Sequence, residues 1–194
     1  GFYNIRDQVL AGGFDTRDHR PPGNVTLISQ SGAGMSGIVD CEQRIDFNFA
    51  VSSGYELSVS MEDYLDYALD LPETRVVGLF LETSRQPQKL IAAFKKASAR
   101  KIPIVVLKVG RTELSAQMAM SHSGALAGSY ASYAALFDHY GVQRVDDMDQ
   151  LATALIMFAQ PNATAAGGIA CLHDSGGERQ LLIDLADQHS VPLA

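Results

Sequence analysis

A histidine set among small residues is the first feature of this sequence that could carry chemistry. His122 lies in the segment MSHSGALAGS, where serine, glycine and alanine leave room for a phosphate to approach. A neutral imidazole offers a ring nitrogen as a nucleophile near pH 7. The segment therefore permits phosphohistidine chemistry, and a solvated loop histidine has the same local pattern.

A glycine-rich turn, SQSGAGMSG, is the second feature, and it joins an apolar run to a helical pattern. The free N–H groups at a helix start and the helix dipole attract anions, and glycine lets an oxyanion come close. The turn predicts a phosphate site at Ser29, Ser31, Gly32 and Ala33. A simple serine cap at a tight turn is the alternative interpretation.

The same turn also matches the dinucleotide-binding pattern G-x-G-x-x-G through Gly32, Gly34 and Gly37. That pattern expects an acidic residue at the end of the second strand to hold a ribose. The corresponding run here ends in Ser52 and Ser53. A nucleotide- or flavin-binding module without ligase activity therefore stays an alternative, weakened by the missing acid.

Glu82 is the third feature, because it ends the apolar run VVGLFLE. In a parallel sheet of strand order 2-1-3-4-5, the turns bearing Ser31, Glu82 and His122 all emerge at the carboxyl edge. A carboxylate there could hold one ring nitrogen of the histidine and leave the other for phosphate. A strand-end glutamate paired with Arg85 or with solvent is the alternative.

The elements that would position these residues follow from an alternation of short β-branched runs and longer helical patterns. Predicted strands cover residues 25–29, 47–52, 76–82, 104–109 and 142–145, and predicted helices cover 35–43, 61–71, 88–100, 129–140 and 148–159. Helix-start patterns pair Ser60 with Asp63 and Asp146 with Asp149. The predicted fold class is α/β, a flavodoxin-like parallel sheet with helices on both faces.

Three regions are predicted. Residues 1–23 show little apolar periodicity and indicate an N-terminal arm or linker, and residues 24–160 form the flavodoxin-like domain. After the break PNATAAGG, a strand over 168–173 and a helix over 178–189 restart the βα pattern. A single βα unit cannot bury its own faces, so residues 161–194 indicate a linker and the start of a second, incomplete flavodoxin-like domain.

The composition excludes several classes of partner. The formal net charge of -7 lacks the basic surface that nucleic acid requires, and no apolar run reaches the roughly 18 residues that span a bilayer. We therefore expect a cytoplasmic protein that binds neither nucleic acid nor membrane. Cys41 and Cys171 show no metal-ligand spacing and are predicted to be reduced core residues, and we expect no metal site.

Several motifs together carry a family resemblance. PPGNVTLISQSGAG, VVGLFLE, IPIVVLKVGRTE and SHSGALAGS followed by GVQRVDDMDQL occur in this order over about residues 21–160. In order and spacing the segment resembles the succinyl-CoA-ligase-like flavodoxin domain of NDP-forming acyl-CoA synthetases, such as the ADP-forming acetyl-CoA synthetases. The stretches SSGYEL and HDSGGERQ depart from the family pattern, at the acyl pocket and at the second phosphate clamp.

The resemblance implies a phosphate relay in which an acid, CoA and ATP or GTP become acyl-CoA, NDP and phosphate. By position, His122 is the carrier, Glu82 orients it, and Ser31 with Gly32 receives the phosphoryl group. Further phosphate contacts are implied at Ser123, Gly124, Gly176 and Gly177.

The resemblance also implies cofactors and partners. The complete enzyme uses CoA, ATP or GTP and Mg²⁺, of which this segment is expected to bind none tightly. The partners are a CoA-binding Rossmann domain and an ATP-grasp domain on the same chain or another subunit, a small carboxylic acid, and further copies in an oligomer. Because the chain begins with Gly1 and contains neither domain, we expect it to be a fragment that is inactive in the overall reaction on its own.

Overall fold

Among the described residues of the first 160, seven strands form one sheet, and most of them coincide with the apolar runs of the sequence. The computed structural model describes residues 1–12, 21–115, 129–161 and 167–194. The chain divides into two compact units, Gly1–Gln160 and Pro161–Ala194. The strands are β1 (Phe2–Asn4), β2 (Val9–Ala11), β3 (Val25–Ser29), β4 (Phe47–Ser52), β5 (Val76–Leu81), β6 (Ile104–Lys108) and β7 (Gln143–Val145).

Helices connect or flank these strands. They are α1 (Gly32–Val39), α2 (Met61–Ala68), α3 (Pro87–Arg100), α4 (Tyr130–Tyr140) and α5 (Met148–Phe158) in the first unit, and α6 (Gly176–Gln188) in the second. Ser60 begins α2 with a complete capping box to Asp63, as the sequence predicts. No helix in the part of the chain that the structure describes is long and apolar enough to span a membrane.

The sheet has the order β2-β1-β4-β3-β5-β6-β7. Strands β3 to β7 are parallel, and their order corresponds to 2-1-3-4-5 along the chain. The predicted flavodoxin-like fold class is therefore confirmed. The chain leaves β3 toward β4 on one side and reaches β5 on the other, which makes the carboxyl end of β3 the topological switch point.

Two hydrophobic clusters cover the two faces of the sheet, as expected for parallel strands buried on both sides. Leu27 and Ile28 are successive residues of β3, and each is fully buried in a different cluster because side chains alternate along a strand. Helices α2, α3 and α4 contribute to the cluster of Ile28, and α1 and α5 to that of Leu27. The sheet and its helices therefore provide a rigid support for the turns at its carboxyl edge.

Residues 1–12 differ from the predicted arm. Phe2–Asn4 pairs antiparallel with β4 and with Val9–Ala11, which extends the sheet by two strands. Tyr3 is buried in the core, and the ring of Phe2 lies edge-on to that of Phe49 at 5.3 Å. Strands of three residues give little periodicity in sequence, and they form here because the edge of β4 offers hydrogen-bond partners.

The start of α1 and the cap of α5 differ from their predictions, whereas α5 begins at residue 148 as predicted. Helix α1 begins at Gly32 rather than at residue 35, because Ser31 caps it by accepting a hydrogen bond from the N–H of Gly34. Helix α5 is capped by Asp147 rather than Asp146, since an oxygen of Asp147 accepts from the N–H of Gln150 at 2.8 Å.

The second unit differs more from its prediction. Residues 168–173 form no strand, and Ile169 makes one isolated parallel bridge to Leu193. A strand without a neighbouring ladder has few hydrogen bonds to hold it. The predicted core location of the cysteines is also wrong, because Cys41 and Cys171 are free and exposed.

Candidate functional site

The turn after β3 is built by two serines with different tasks. Ser29 is fully buried, and its hydroxyl donates to the carbonyl of Ser31 at 2.7 Å while accepting from the Ser31 N–H at 3.1 Å. The hydroxyl of Ser31 caps α1 by accepting from the Gly34 N–H at 3.1 Å. The hydroxyl of Ser29 therefore helps to shape the turn, and its predicted phosphate contact stays a prediction.

The start of α1 has the properties of an anion site. Gly32 and Ala33 are exposed in the first turn, where backbone N–H groups have no acceptor within the helix. A Cβ atom at Gly34 would lie 3.1 Å from the ring of Phe80, so glycine lets the helix start approach β5 closely. The positive end of the helix dipole adds to the attraction for an anion.

The dinucleotide pattern in this turn lacks its usual second component. The neighbouring strand β4 ends in Ser52, and its hydroxyl is close to the turn: a Cβ atom at Gly32 would lie 3.7 Å from it. A ribose-binding carboxylate would be expected at that strand end. The described residues at the end of β4 therefore provide no ribose-binding carboxylate, which weakens the dinucleotide-binding alternative as the sequence does.

Glu82 lies directly after β5, and the side chain of Gln30 holds its backbone. The amide oxygen of Gln30 accepts from the N–H groups of Glu82 at 2.7 Å and Thr83 at 2.9 Å. Its amide nitrogen donates to the carbonyl of Thr83 at 2.7 Å. The turns that follow β3 and β5, with Ser31 and Glu82, are thereby joined at the carboxyl edge, as the predicted strand order requires.

Lys108, the last residue of β6, supports Glu82 from the other side. Its ammonium group donates to the carbonyl oxygens of Glu82 at 2.6 Å and Val109 at 2.5 Å, and lies 4.9 Å from the centre of the Tyr133 ring. Burial lowers the pKa of Lys108 from 10.5 to about 8, and the nearby carboxylate of Glu82 opposes this shift. The ammonium group of Lys108 therefore contacts the backbone carbonyl of Glu82 directly.

A second layer of contacts fixes the rest of the turn after β5. The N–H of Ser84 donates to the hydroxyl of Tyr133 at 2.8 Å, and the Ser84 hydroxyl donates to the buried carboxylate of Glu62 at 2.5 Å. Arg85 pairs with Glu56 at 3.6 Å, not with Glu82. Among the residues that the structure describes, the carboxylate of Glu82 interacts electrostatically with the ammonium group of Lys108, and we infer that it is available to a further group.

His122, Ser123 and Gly124 lie outside the described residues, and their roles stay predictions. The chain leads toward them from the end of β6, where Lys108 pairs with Leu81 and the Val109 N–H donates to the Leu81 carbonyl at 3.1 Å. That exit point is one strand away from Glu82.

Comparison with known protein families assigns the region that contains the sheet and these turns to one family. The pattern described as "succinyl-CoA ligase like flavodoxin domain" matches residues 22–158. The chain belongs to this family. The resemblance to NDP-forming acyl-CoA synthetases is therefore confirmed.

Individual relatives of this succinyl-CoA-ligase-like domain agree. The chain is 32% identical over 174 residues to ADP-forming acetate–CoA ligase I of Archaeoglobus fulgidus, covering 89% of this chain and 25% of that protein. It is 32% identical to the alpha subunit of ADP-forming acetate–CoA ligase II of Pyrococcus furiosus, covering 89% of this chain and 38% of the subunit. The chain thus spans a quarter to two-fifths of the length of these curated relatives.

A solved structure resembles the domain as well. The Ca. Korarchaeum cryptofilum protein described as dinucleotide forming acetyl-coenzyme A synthetase 1, in complex with phosphate and ADP, is 31% identical to this chain. The TM-score is 0.73, and the match covers 89% of this chain and 38% of that one.

Gly176 and Gly177 lie in the second unit, at the start of α6. Ser175 caps this helix by accepting from the N–H of Glu178 at 3.4 Å, and both glycines are exposed. This local geometry resembles the start of α1, where Ser31 is the cap. Their phosphate contact stays a prediction.

Three residues of the succinyl-CoA-ligase-like domain were missed by the sequence reasoning: Gln30, Glu56 and Lys108. A charged residue inside the apolar run IVVLKV was an available signal for Lys108, because a buried charge requires partners. Gln30 and Glu56 gave no such signal, since their contacts join segments distant in sequence.

Proposed function

We propose that this chain is the phosphohistidine-carrying segment of an NDP-forming acyl-CoA synthetase, an acid–thiol ligase. The overall reaction converts a small carboxylic acid, CoA and ATP or GTP into acyl-CoA, NDP and phosphate. The observation that carries the proposal is the junction of the α1 helix start with the turn of Glu82 through Gln30, in a chain of the succinyl-CoA-ligase-like family.

In the proposed step, one ring nitrogen of His122 attacks the phosphorus of an acyl phosphate. The N–P bond forms, the bond between phosphorus and the acyl oxygen breaks, and the acid leaves as a carboxylate. The phosphorylated ring then carries a positive charge on its remaining N–H side, which the carboxylate of Glu82 stabilises by accepting a hydrogen bond. In the direction of acyl-CoA synthesis the same bonds form and break in reverse.

The helix start contributes to the same step. In this proposal the N–H groups of Gly32 and Ala33 and the hydroxyl of Ser31, all at the start of α1, bind the oxygens of the phosphoryl group before or after transfer. Phosphoryl transfer depends mainly on position and on stabilisation of negative charge. A helix start held against the turn of Glu82 supplies both without a covalent role for any other side chain.

The remaining parts of the reaction are assigned to partners. A CoA-binding Rossmann domain and an ATP-grasp domain, on the same polypeptide or another subunit, would supply CoA and the nucleotide with Mg²⁺. The composition favours a cytoplasmic setting for such a complex. The substrate of the proposed reaction is a small carboxylic acid.

The test is direct phosphorylation of the protein by acetyl phosphate, a small acyl phosphate, followed by mass spectrometry at alkaline pH. We expect an acid-labile phosphate on His122 and no label on the His122→Asn variant. The same site should be labelled by ATP and Mg²⁺ when an ATP-grasp partner is added. Absence of label, or label on His139, His173 or His189 instead, would contradict the proposal.

A further inference from the structure

The side-chain amide of Gln30 forms four hydrogen bonds, which link it to Glu56, Glu82 and Thr83. We infer that Gln30 is a positioning residue that orients Glu82 for the phosphohistidine step. This inference rests on the proposed function. It concerns a residue that acts through Glu82.

All the hydrogen-bonding capacity of the Gln30 amide is used. Its oxygen accepts from the N–H groups of Glu82 and Thr83, at 2.7 and 2.9 Å. Its nitrogen donates to the carbonyl of Thr83 at 2.7 Å and to the carboxylate of Glu56 at 2.9 Å. A carboxamide has two donor hydrogens and two acceptor lone pairs, so each of them has a partner here.

Glu56 fixes which way this amide faces. The side chain of Glu56 is fully buried, and the oxygen that meets Gln30 also accepts from the hydroxyl of Ser53 at 2.7 Å and from the N–H of Met61 at 3.1 Å. An ionised carboxylate only accepts hydrogen bonds. The amide nitrogen of Gln30 must therefore face Glu56, and the amide oxygen must face Glu82.

The backbone of Glu56 indicates that this contact constrains the local structure. Its φ of 53° lies in the left-handed region, which is uncommon for a residue other than glycine, asparagine or aspartate. Such conformations persist where surrounding contacts hold them. At Glu56, the hydrogen bonds from Gln30, Ser53 and Met61 to the carboxylate hold this conformation.

Glu82 is held on both sides of its Cα atom. Gln30 binds its N–H, Lys108 binds its carbonyl, and both donor–acceptor distances are 2.7 Å or shorter. The base of the carboxylate side chain therefore has a fixed position and direction. Misplacement of a positioned group by about 1 Å can slow an enzymatic step about a hundredfold, so the loss of the Gln30 contacts should be measurable.

The test is the Gln30→Glu variant, which keeps the shape of the side chain but removes both amide donors. It places a carboxylate against Glu56 and against the carbonyl of Thr83. We expect the rate of His122 phosphorylation by acetyl phosphate to fall about tenfold to a hundredfold. Gln143→Glu is the matched control, since Gln143 donates to the Gly141 carbonyl at an exposed position, and its rate should stay within about twofold of the wild type.

A double-variant cycle separates a positioning role from a merely structural one. If Gln30 acts through Glu82, Gln30→Glu should change the rate by less than about twofold in a protein that already carries Glu82→Gln. A further tenfold loss in that background would place the effect elsewhere, for example in the neighbouring turn of Ser31, and would overturn the inference. Wild-type rates in Gln30→Glu itself would also overturn it.

Folding and function can be told apart in the same experiment. Circular dichroism and thermal unfolding show whether Gln30→Glu is folded, and Gln30→Met takes its place in the cycle if it is not. An unlabelled wild-type protein would contradict the proposed function and this inference with it. A labelled wild type with an unaffected Gln30 variant would contradict the inference alone.

Discussion

Lys108 shows that the candidate site includes a charge that folding alone would not favour. Moving an ammonium group out of water is unfavourable, and burial lowers the pKa of Lys108 from 10.5 to about 8. The carbonyl oxygens of Glu82 and Val109 and the ring of Tyr133 offset part of this cost. Through these hydrogen bonds, Lys108 helps to hold the backbone of Glu82 in place.

The lowered pKa of Lys108 predicts how stability depends on pH. Between pH 8 and 10.5 the unfolded chain keeps the lysine proton that the folded chain has lost, so the free energy of unfolding rises with pH in this window. Lys108→Met removes this contribution. Urea unfolding from pH 7 to pH 10 should therefore show the difference between wild type and variant growing by about 1 to 3 kcal/mol in favour of the wild type.

A second lysine variant provides the control for this measurement. Lys95 is exposed on α3, where water solvates its ammonium group in the folded and unfolded states alike. The difference between wild type and Lys95→Met should therefore stay level over the same pH range. Parallel curves for wild type and Lys108→Met would contradict the prediction.

At the scale of elements, two of the three glycines of α1 have different surroundings. A Cβ atom at Gly34 would lie 3.1 and 3.2 Å from ring atoms of Phe80, whereas one at Gly37 would meet only Met148, at 3.9 Å. The first distance is crowded, and the second is an ordinary contact. The conformational freedom of glycine in the unfolded chain destabilises a helix relative to alanine.

Alanine at these two positions should therefore have opposite effects. We expect Gly37→Ala to raise the free energy of unfolding by about 0.5 to 1 kcal/mol. Gly34→Ala should lower it by about 1 kcal/mol or more, because Phe80 is packed between sheet and helix and must shift. Thermal and urea unfolding of both variants measure the difference, and equal gains would show that the approach of α1 to β5 does not need glycine.

The elements that could be predicted from sequence are those that carry their own signal. The strand β3 is buried along its whole length and is largely apolar, and α2 begins with a capping box at Ser60. The strand Phe2–Asn4 was missed because its stability comes from pairing with β4 rather than from its own residues. Residues 168–173 were predicted as a strand from composition, yet composition cannot supply a neighbouring strand.

The candidate site divides in the same way. Ser31 and Glu82 could be predicted because each follows an apolar strand in a parallel sheet, and strand order then brings their turns to one edge. The contacts of Gln30 with Glu56 and Thr83 span 26 and 53 residues of sequence. No local pattern encodes such contacts, and a turn with a half-buried amide resembles any polar turn until the fold is known.

At the scale of the whole molecule, both hydrophobic clusters lie within the first unit. Their members extend from β1 to α5, and Ser31, Gln30 and Glu82 lie in that unit as well. Near the end of this unit, the side chain of Asn24 donates a hydrogen bond to the carbonyl of Ala159, at 2.9 Å. The first 160 residues therefore contain what a cooperative fold requires.

A protein truncated after Gln160 should accordingly fold. We expect its calorimetric unfolding temperature to lie within about 3 °C of that of the full chain, which corresponds to about 1 kcal/mol for a domain of this size. A truncation after Asp146 is the control, because it removes α5 and with it the buried Leu151 and Leu155. Loss of these side chains exposes one face of the sheet, so this protein should not unfold cooperatively, whereas broad, non-cooperative unfolding of residues 1–160 would show that residues 161–194 contribute to the core.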